Sequence, residues 1–149
     1  MIKSVAIFIV VATSVALLIS SFSVGQLVRA QQLAMDLTKA SGDKPFGGEK
    51  IGTVNITPNG HVLTILANMT SPPDNGKVWE GWLVDDDGGS GYKLSLGEFA
   101  KNGTLHLVEQ MVNPYTYTQF IVTQEPFEDP DPNAAAASGG TQLQTPFGR

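Results

Sequence analysis

Three consecutive carboxylates, Asp85-Asp86-Asp87, run straight into Gly88-Gly89-Ser90-Gly91. Carboxylate oxygens are the donors that a hard cation such as calcium takes, and a glycine-rich loop can wrap one. Calcium asks for roughly six to eight oxygens, however, and the EF-hand spacing with its late glutamate is missing. An acidic hairpin tip therefore competes with a calcium site at Asp85, Asp86 and Asp87 and is the stronger reading. Glu128, Asp129 and Asp131 form a second acidic group under the same restriction. The two histidines, His61 and His106, sit among ordinary β-forming residues. A histidine beside a carboxylate can ligate a metal or move a proton, but only where the fold brings the members together. The chain has no Gly-Xaa-Ser-Xaa-Gly elbow, no phosphate-binding loop and no His-Glu-Xaa-Xaa-His helix motif. No catalytic residue and no cofactor is assigned, calcium at Asp85–Asp87 aside.

Asparagine supplies another kind of chemistry. Asn55-Ile56-Thr57, Asn68-Met69-Thr70 and Asn102-Gly103-Thr104 are N-glycosylation sequons. In an exported chain they are acceptors for glycans, though Pro58 directly after the first weakens it. Asparagine and threonine are also ordinary turn and strand residues. Trp79 and Trp82 are three apart in an apolar run. On a strand they face opposite sides, so one belongs to the core and the other is free to make a surface contact.

Composition removes several classes. There is no cysteine, which excludes disulfides, thiolate nucleophiles, zinc fingers and blue-copper thiolates. The net charge is −5, and residues 26–149 carry eight basic against fourteen acidic side chains. A nucleic-acid surface needs the opposite balance, so no nucleic-acid partner is expected.

Elements must position these residues, and the first is apolar. Ser4 to Gly25 holds no charge and is dominated by Val, Ala, Ile, Leu and Phe. About 20 apolar residues in a helix cross a hydrocarbon core. Lys3 on the short side favours that end in the cytoplasm, so the chain beyond residue 26 is expected outside it. Residues 1–30 read as a membrane anchor, through residues 4–25, or as a cleaved signal peptide. Val28-Arg29-Ala30 and Ser23-Val24-Gly25 both offer small residues for cleavage. Leu33, Met35 and Leu37 continue a loosely helical pattern, and Ala40–Gly48 is a Gly/Pro break. Residues 31–48 are accordingly expected to be a helical stalk and linker.

Residues 49–145 read as one all-β domain. Strands are expected over Ile51–Thr57, His61–Met69, Val78–Val84, Tyr92–Phe99, Thr104–Val112 and Tyr117–Gln124, with Thr141–Thr145 as a short last one. Pro58-Asn59-Gly60, Ser71–Gly76, Asp85–Gly91 and Asn102-Gly103 separate them. Glu125–Gly140 is rich in proline and acids and is expected to be extended and solvated. The fold class is thus a small antiparallel β-sandwich of six to seven strands preceded by an N-terminal apolar helix.

The run VWEGWLVDDDGGSGYKLSLG, Val78–Gly97, carries an aromatic-x-x-Trp-Leu-Val strand, a Gly/Asp loop and then Ser95-Leu96-Gly97-Glu98-Phe99. Asn102-Gly103 and Val122-Thr123-Gln124-Glu125-Pro126 follow in order. In these features residues 50–145 resemble the extracytoplasmic, C-terminal domain of anti-sigma-K factors. The resemblance implies a β-sandwich and a place outside the cytoplasm. It supplies no catalytic residues. In that family a cytoplasmic domain ahead of the membrane span grips the sigma factor. Only three residues stand before the apolar run here, so no sigma factor is expected as a partner.

The function expected from the sequence is a non-enzymatic, membrane-tethered or secreted module for sensing, binding or envelope structure. Its partner would be an extracytoplasmic protein or glycan. A pilin-like filament subunit is the structural alternative, although Ser4-Val5-Ala6-Ile7-Phe8 lacks the glutamate of a pilin helix. A calcium-stabilised binding domain is the other. A small hydrolase ranks last.

Overall fold

A computed structural model of the chain describes residues 32–86, 92–127 and 136–148. The apolar segment and the helix expected there lie outside the described residues, as do Asp87, Glu128, Asp129 and Asp131. Among the described residues, no helix is long and apolar enough to cross a membrane.

Eight strands form one antiparallel sheet: β1 (Leu33–Ser41), β2 (Lys44–Asn59), β3 (Val62–Met69), β4 (Lys77–Asp85), β5 (Tyr92–Glu98), β6 (Thr104–Gln110), β7 (Gln119–Pro126) and β8 (Gly139–Gln142). Their order is β5-β4-β7-β8-β1-β2-β3-β6. The all-β antiparallel class is as expected. The described residues hold eight strands rather than six or seven. The strands also form a single sheet curled almost into a barrel, in place of two separate layers.

The helical stalk is corrected by β1. Leu33, Met35 and Leu37 are buried while Ala34 and Asp36 between them are exposed, which is period two and not helical. Gly42-Asp43 is the turn, because Ser41 pairs with Lys44 and Gly42 takes φ 59°. A glycine there is what a two-residue hairpin turn demands. Ala40–Gly48 is thus a hairpin with register shifts and not a linker.

Alternation dictates the core. Val54 and Ile56 of β2, Leu63 and Ile65 of β3, Leu83 of β4 and Phe120 and Val122 of β7 are essentially fully buried. Each such side chain stabilises the fold by about 1.5–3 kcal/mol relative to exposure. Trp79 joins this main core, whereas Trp82 packs on the outer face with Val84, Ile121 and Ala137. The tryptophans do face opposite sides, but Trp82 is only 3% exposed and makes no surface contact. Its indole N–H donates to Thr123 Oγ1 at 2.9 Å, which satisfies the polar end of a buried ring.

The two halves of the sheet meet at β8. Thr38 and Lys39 of β1 pair with Gly140 and Gly139, and Phe120 to Val122 of β7 pair with the other side of the same strand. A Cβ on Gly140 would lie 2.5 Å from the Phe120 carbonyl oxygen, and one on Gly139 would lie 2.5 Å from that of Thr38. The last part of the expected solvated tail is therefore a central strand. Glu125 and Pro126 are also not in the tail: they end β7, and Glu125 is buried.

Candidate functional site

At one end of the barrel, four separate chain segments enclose a cleft of about 690 Å³. The β3–β4 loop supplies Met69, Ser71, Pro72 and Pro73. The start of β4 supplies Lys77, Val78 and Trp79, and the β5–β6 turn supplies Phe99, Lys101 and Asn102. Phe127, just past β7, closes the set and is 63% exposed. The volume falls within the roughly 300–1,000 Å³ of small-ligand sites.

Local chemistry explains each wall. Asp74-Asn75-Gly76-Lys77 is a tight turn, with the Lys77 N–H donating to the Asp74 carbonyl at 3.0 Å and Gly76 at φ 79°. Asp74 N–H reaches the Gln124 side chain at 2.6 Å, tying this loop to β7. The Trp79 indole N–H donates to the Ser71 carbonyl at 3.1 Å. Phe99 N–H donates to the Trp79 carbonyl at 2.7 Å, so floor and opposite wall share a ladder bond. The second turn is closed by Gly103 N–H to the Ala100 carbonyl at 2.8 Å. Asn102 Oδ1 accepts from the Thr104 hydroxyl at 2.7 Å and from its N–H at 3.2 Å. The walls are held in place before anything binds.

The floor is apolar and the rim is charged. Trp79 and Phe99 are each 6% exposed, at the cleft bottom. Lys77, Lys101 and Glu98 are the charged residues of the lining. Neither lysine is in an ion pair among the described residues, where only Lys39–Glu49 and Lys50–Asp36 form. This arrangement can seat an apolar or aromatic group and attract an anionic one beside it. Among the described residues the lining contains no histidine and no nucleophile–base pair.

The residues singled out from the sequence scatter. Asp85 ends β4 and is half-buried, while Asp86 borders a second, polar hollow of about 350 Å³ at Thr118, Gln119 and Gln142. Asp86 N–H donates to Thr118 Oγ1 at 3.2 Å, and its carboxylate accepts from Gln119 at 3.4 Å. Among the described residues no three His, Asp or Glu side chains come together as metal ligands. Burial pushes the Tyr117 phenol above its ordinary range, and its electrostatic interactions with Tyr92 and Asp85 add to that.

His61 lies in the β2–β3 turn with Nδ1 2.8 Å from the Val112 carbonyl. His106 sits opposite Leu66 on β6, which is about 16 Å along the strand from His61. They share no site. Asn55 and Asn68 lie in β2 and β3, and Thr104 of the third sequon pairs with Asn68. Asn102 is exposed in its turn and lines the cleft.

Of the cleft lining, the sequence singles out Trp79, the motif residues Glu98 and Phe99, and the sequon residues Met69, Thr70, Asn102 and Gly103, none of them as members of one site. Ser71–Gly76 reads as a loop and Phe127 as part of a solvated tail, and no pattern marks Lys77 or Lys101, because their neighbours in space are distant in sequence. The pair of prolines beside a tryptophan strand was the one available signal.

Comparison with known proteins adds the family. The profile described as Anti-sigma-K factor rskA, C-terminal, matches residues 4–140. No curated protein and no solved structure gives a significant match. The matched span runs from the apolar segment through seven complete strands to Gly140 in the joining strand β8. The chain belongs to the anti-sigma-K factor rskA C-terminal family.

Proposed function

We propose that this chain is a non-enzymatic regulatory module that works outside the cytoplasm and receives a protein segment in the cleft around Trp79. The family is a regulatory one, which supports the class of function. The uncharged run from Ser4 to Gly25 supports attachment to a membrane or export through it. The cleft itself carries the binding assignment. Its floor is Trp79 and Phe99, its sides are prolines, and Lys77 and Lys101 stand at the rim without ion-pair partners among the described residues. An apolar floor under two cations and one carboxylate, Glu98, leaves a net positive rim that suits a segment with an aromatic or branched side chain next to Asp or Glu.

The location is tested by adding protease to intact cells and then sequencing the N-terminus of the mature protein. Degradation of the β domain in intact cells supports it, and full protection until lysis contradicts it. The cleft is tested by nuclear magnetic resonance of the full chain in detergent micelles with an acidic, aromatic tetrapeptide as probe. Shifts concentrated on Trp79, Phe99 and Lys101 support the assignment. Shifts elsewhere on the sheet, or none, remove it.

A further inference from the structure

The curled sheet has two edges, and they are not alike. On β5 the edge is guarded. It carries Lys93, a register shift opposite Gly81/Trp82, and Gly97 at φ 90°. Lysines and bulges are the devices that keep an edge from pairing with another chain. On β6, Thr104–Gln110, there is none of this. The strand has no lysine and no proline, and its register with β3 runs unbroken from Thr104↔Asn68 to Gln110↔Val62.

Hydrogen bonds fix which backbone groups of β6 are spare. Met69 N–H donates to the Gly103 carbonyl at 2.8 Å, and Met111 N–H donates to the His61 carbonyl at 2.7 Å. In an antiparallel ladder the bonded residues alternate. Leu105, Leu107 and Glu109 therefore turn their backbone groups toward β3, while Thr104, His106, Val108 and Gln110 turn theirs to the open side. The Thr104 carbonyl is already taken by the Ala100 N–H at 2.8 Å. That leaves His106, Val108 and Gln110 with no backbone partner among the described residues. This set is symmetric about Val108, which is 59% exposed.

We propose that two copies of this chain associate through β6, paired antiparallel about a two-fold axis at Val108. The pairing places Val108 opposite its copy and His106 opposite Gln110 of the other subunit, so every spare N–H and C=O of the edge is used once. A closed two-fold interface requires this self-complementarity. Glu109, the one acidic residue of the strand, lies directly opposite Leu107 of the second copy, and the two Glu109 side chains are diagonal neighbours across the axis. The outer row beside the axis is uncharged, with Thr64 behind Val108 and exposed Leu66 and Val62 on either side. A strand of a different protein could use the same groups, and it would give a mass other than twice that of one chain.

The test is the mass of the full chain in detergent micelles by sedimentation and light scattering. The expected result is twice the 15.8 kDa of one chain after correction for detergent. Val108→Pro removes an N–H that β3 does not use, so the monomer fold tolerates it as an edge proline while the dimer is lost. Circular dichroism of this variant should match the parent, and its melting should fall only by the concentration-dependent part that dimerisation contributes. The chain has no cysteine, so Val108→Cys can be joined with a short bis-maleimide. It should give a covalent dimer, whereas Val112→Cys, four residues on and 93% exposed, should not. A monomeric parent, or a dimer that survives Val108→Pro, overturns the proposal.

Discussion

The indole N–H of Trp79 donates to the Ser71 carbonyl at 3.1 Å, and this bond fastens the floor of the cleft to its proline wall. Trp79 thereby does two jobs. Its ring belongs to the main core, and its polar edge sets the position of the β3–β4 loop.

Trp79→Phe affects both jobs. The bond is lost and the smaller ring leaves a gap in the core, so the fold should be weakened by about 1–3 kcal/mol. The loop from Ser71 to Gly76 should become more open to protease than the rest of the sheet. Chemical denaturation and limited proteolysis measure both. Equal protection of the loop in parent and variant would show that Gln124, through Asp74, holds the loop alone.

Gly140→Ala tests the joining strand. Its new methyl would lie 2.5 Å from the Phe120 carbonyl oxygen and 3.0 Å from Ile121 Cα, both backbone atoms that cannot swing aside. The expected cost is about 1–3 kcal/mol or more, as for overpacking. The same change at Gly42 meets nothing nearby but must accept φ 59°, so its cost comes from backbone strain alone. Thermal melting compares the two.

Stability should fall at alkaline pH through Tyr117. Burial raises its folded-state pKa above the unfolded value near 10. The unfolded chain then loses its proton first. The contribution is complete below about pH 10 and is lost as pH rises through the higher folded value. Tyr117→Phe should flatten this part of the pH–stability curve. An unchanged alkaline slope in that variant would assign the loss to other groups.

The surface ion pairs should matter little. Lys50–Asp36 is a cross-strand pair at 2.7 Å, yet both side chains are more than half exposed. Lys50→Ala should cost less than about 1 kcal/mol, and less still in high salt.

The sequence carried the strands whose faces differ most. Val54 and Ile56 against Thr53 and Asn55 announce β2, and the run around Trp79 and Trp82 announces β4. It misled at β1, where Leu33, Met35 and Leu37 follow an apolar N-terminal region that favours a helical reading. Gly42-Asp43 was the hairpin signal that contradicts it. β8 was half readable: Thr141 and Gln142 fall in the expected last strand, while Gly139 and Gly140 have low strand propensity. They are strand residues only because two neighbouring backbones come too close for a side chain. The cleft was hidden for a different reason. Ser71, Lys77, Lys101 and Phe127 are brought together by sheet closure, and no local pattern encodes that.

The most direct measurement uses the two tryptophans of the chain. Trp79 lies at the floor of the cleft, and Trp82 is buried with Val84 and Ile121 on the outer face of the sheet. With the full chain labelled at the indole nitrogens, an acidic, aromatic tetrapeptide should move the Trp79 resonance and leave that of Trp82 in place. Reversing charge at both Lys77→Glu and Lys101→Glu should abolish the shift without changing the melting temperature. A Trp79 resonance that stays still, or one that moves equally in the charge-reversed chain, would contradict the account.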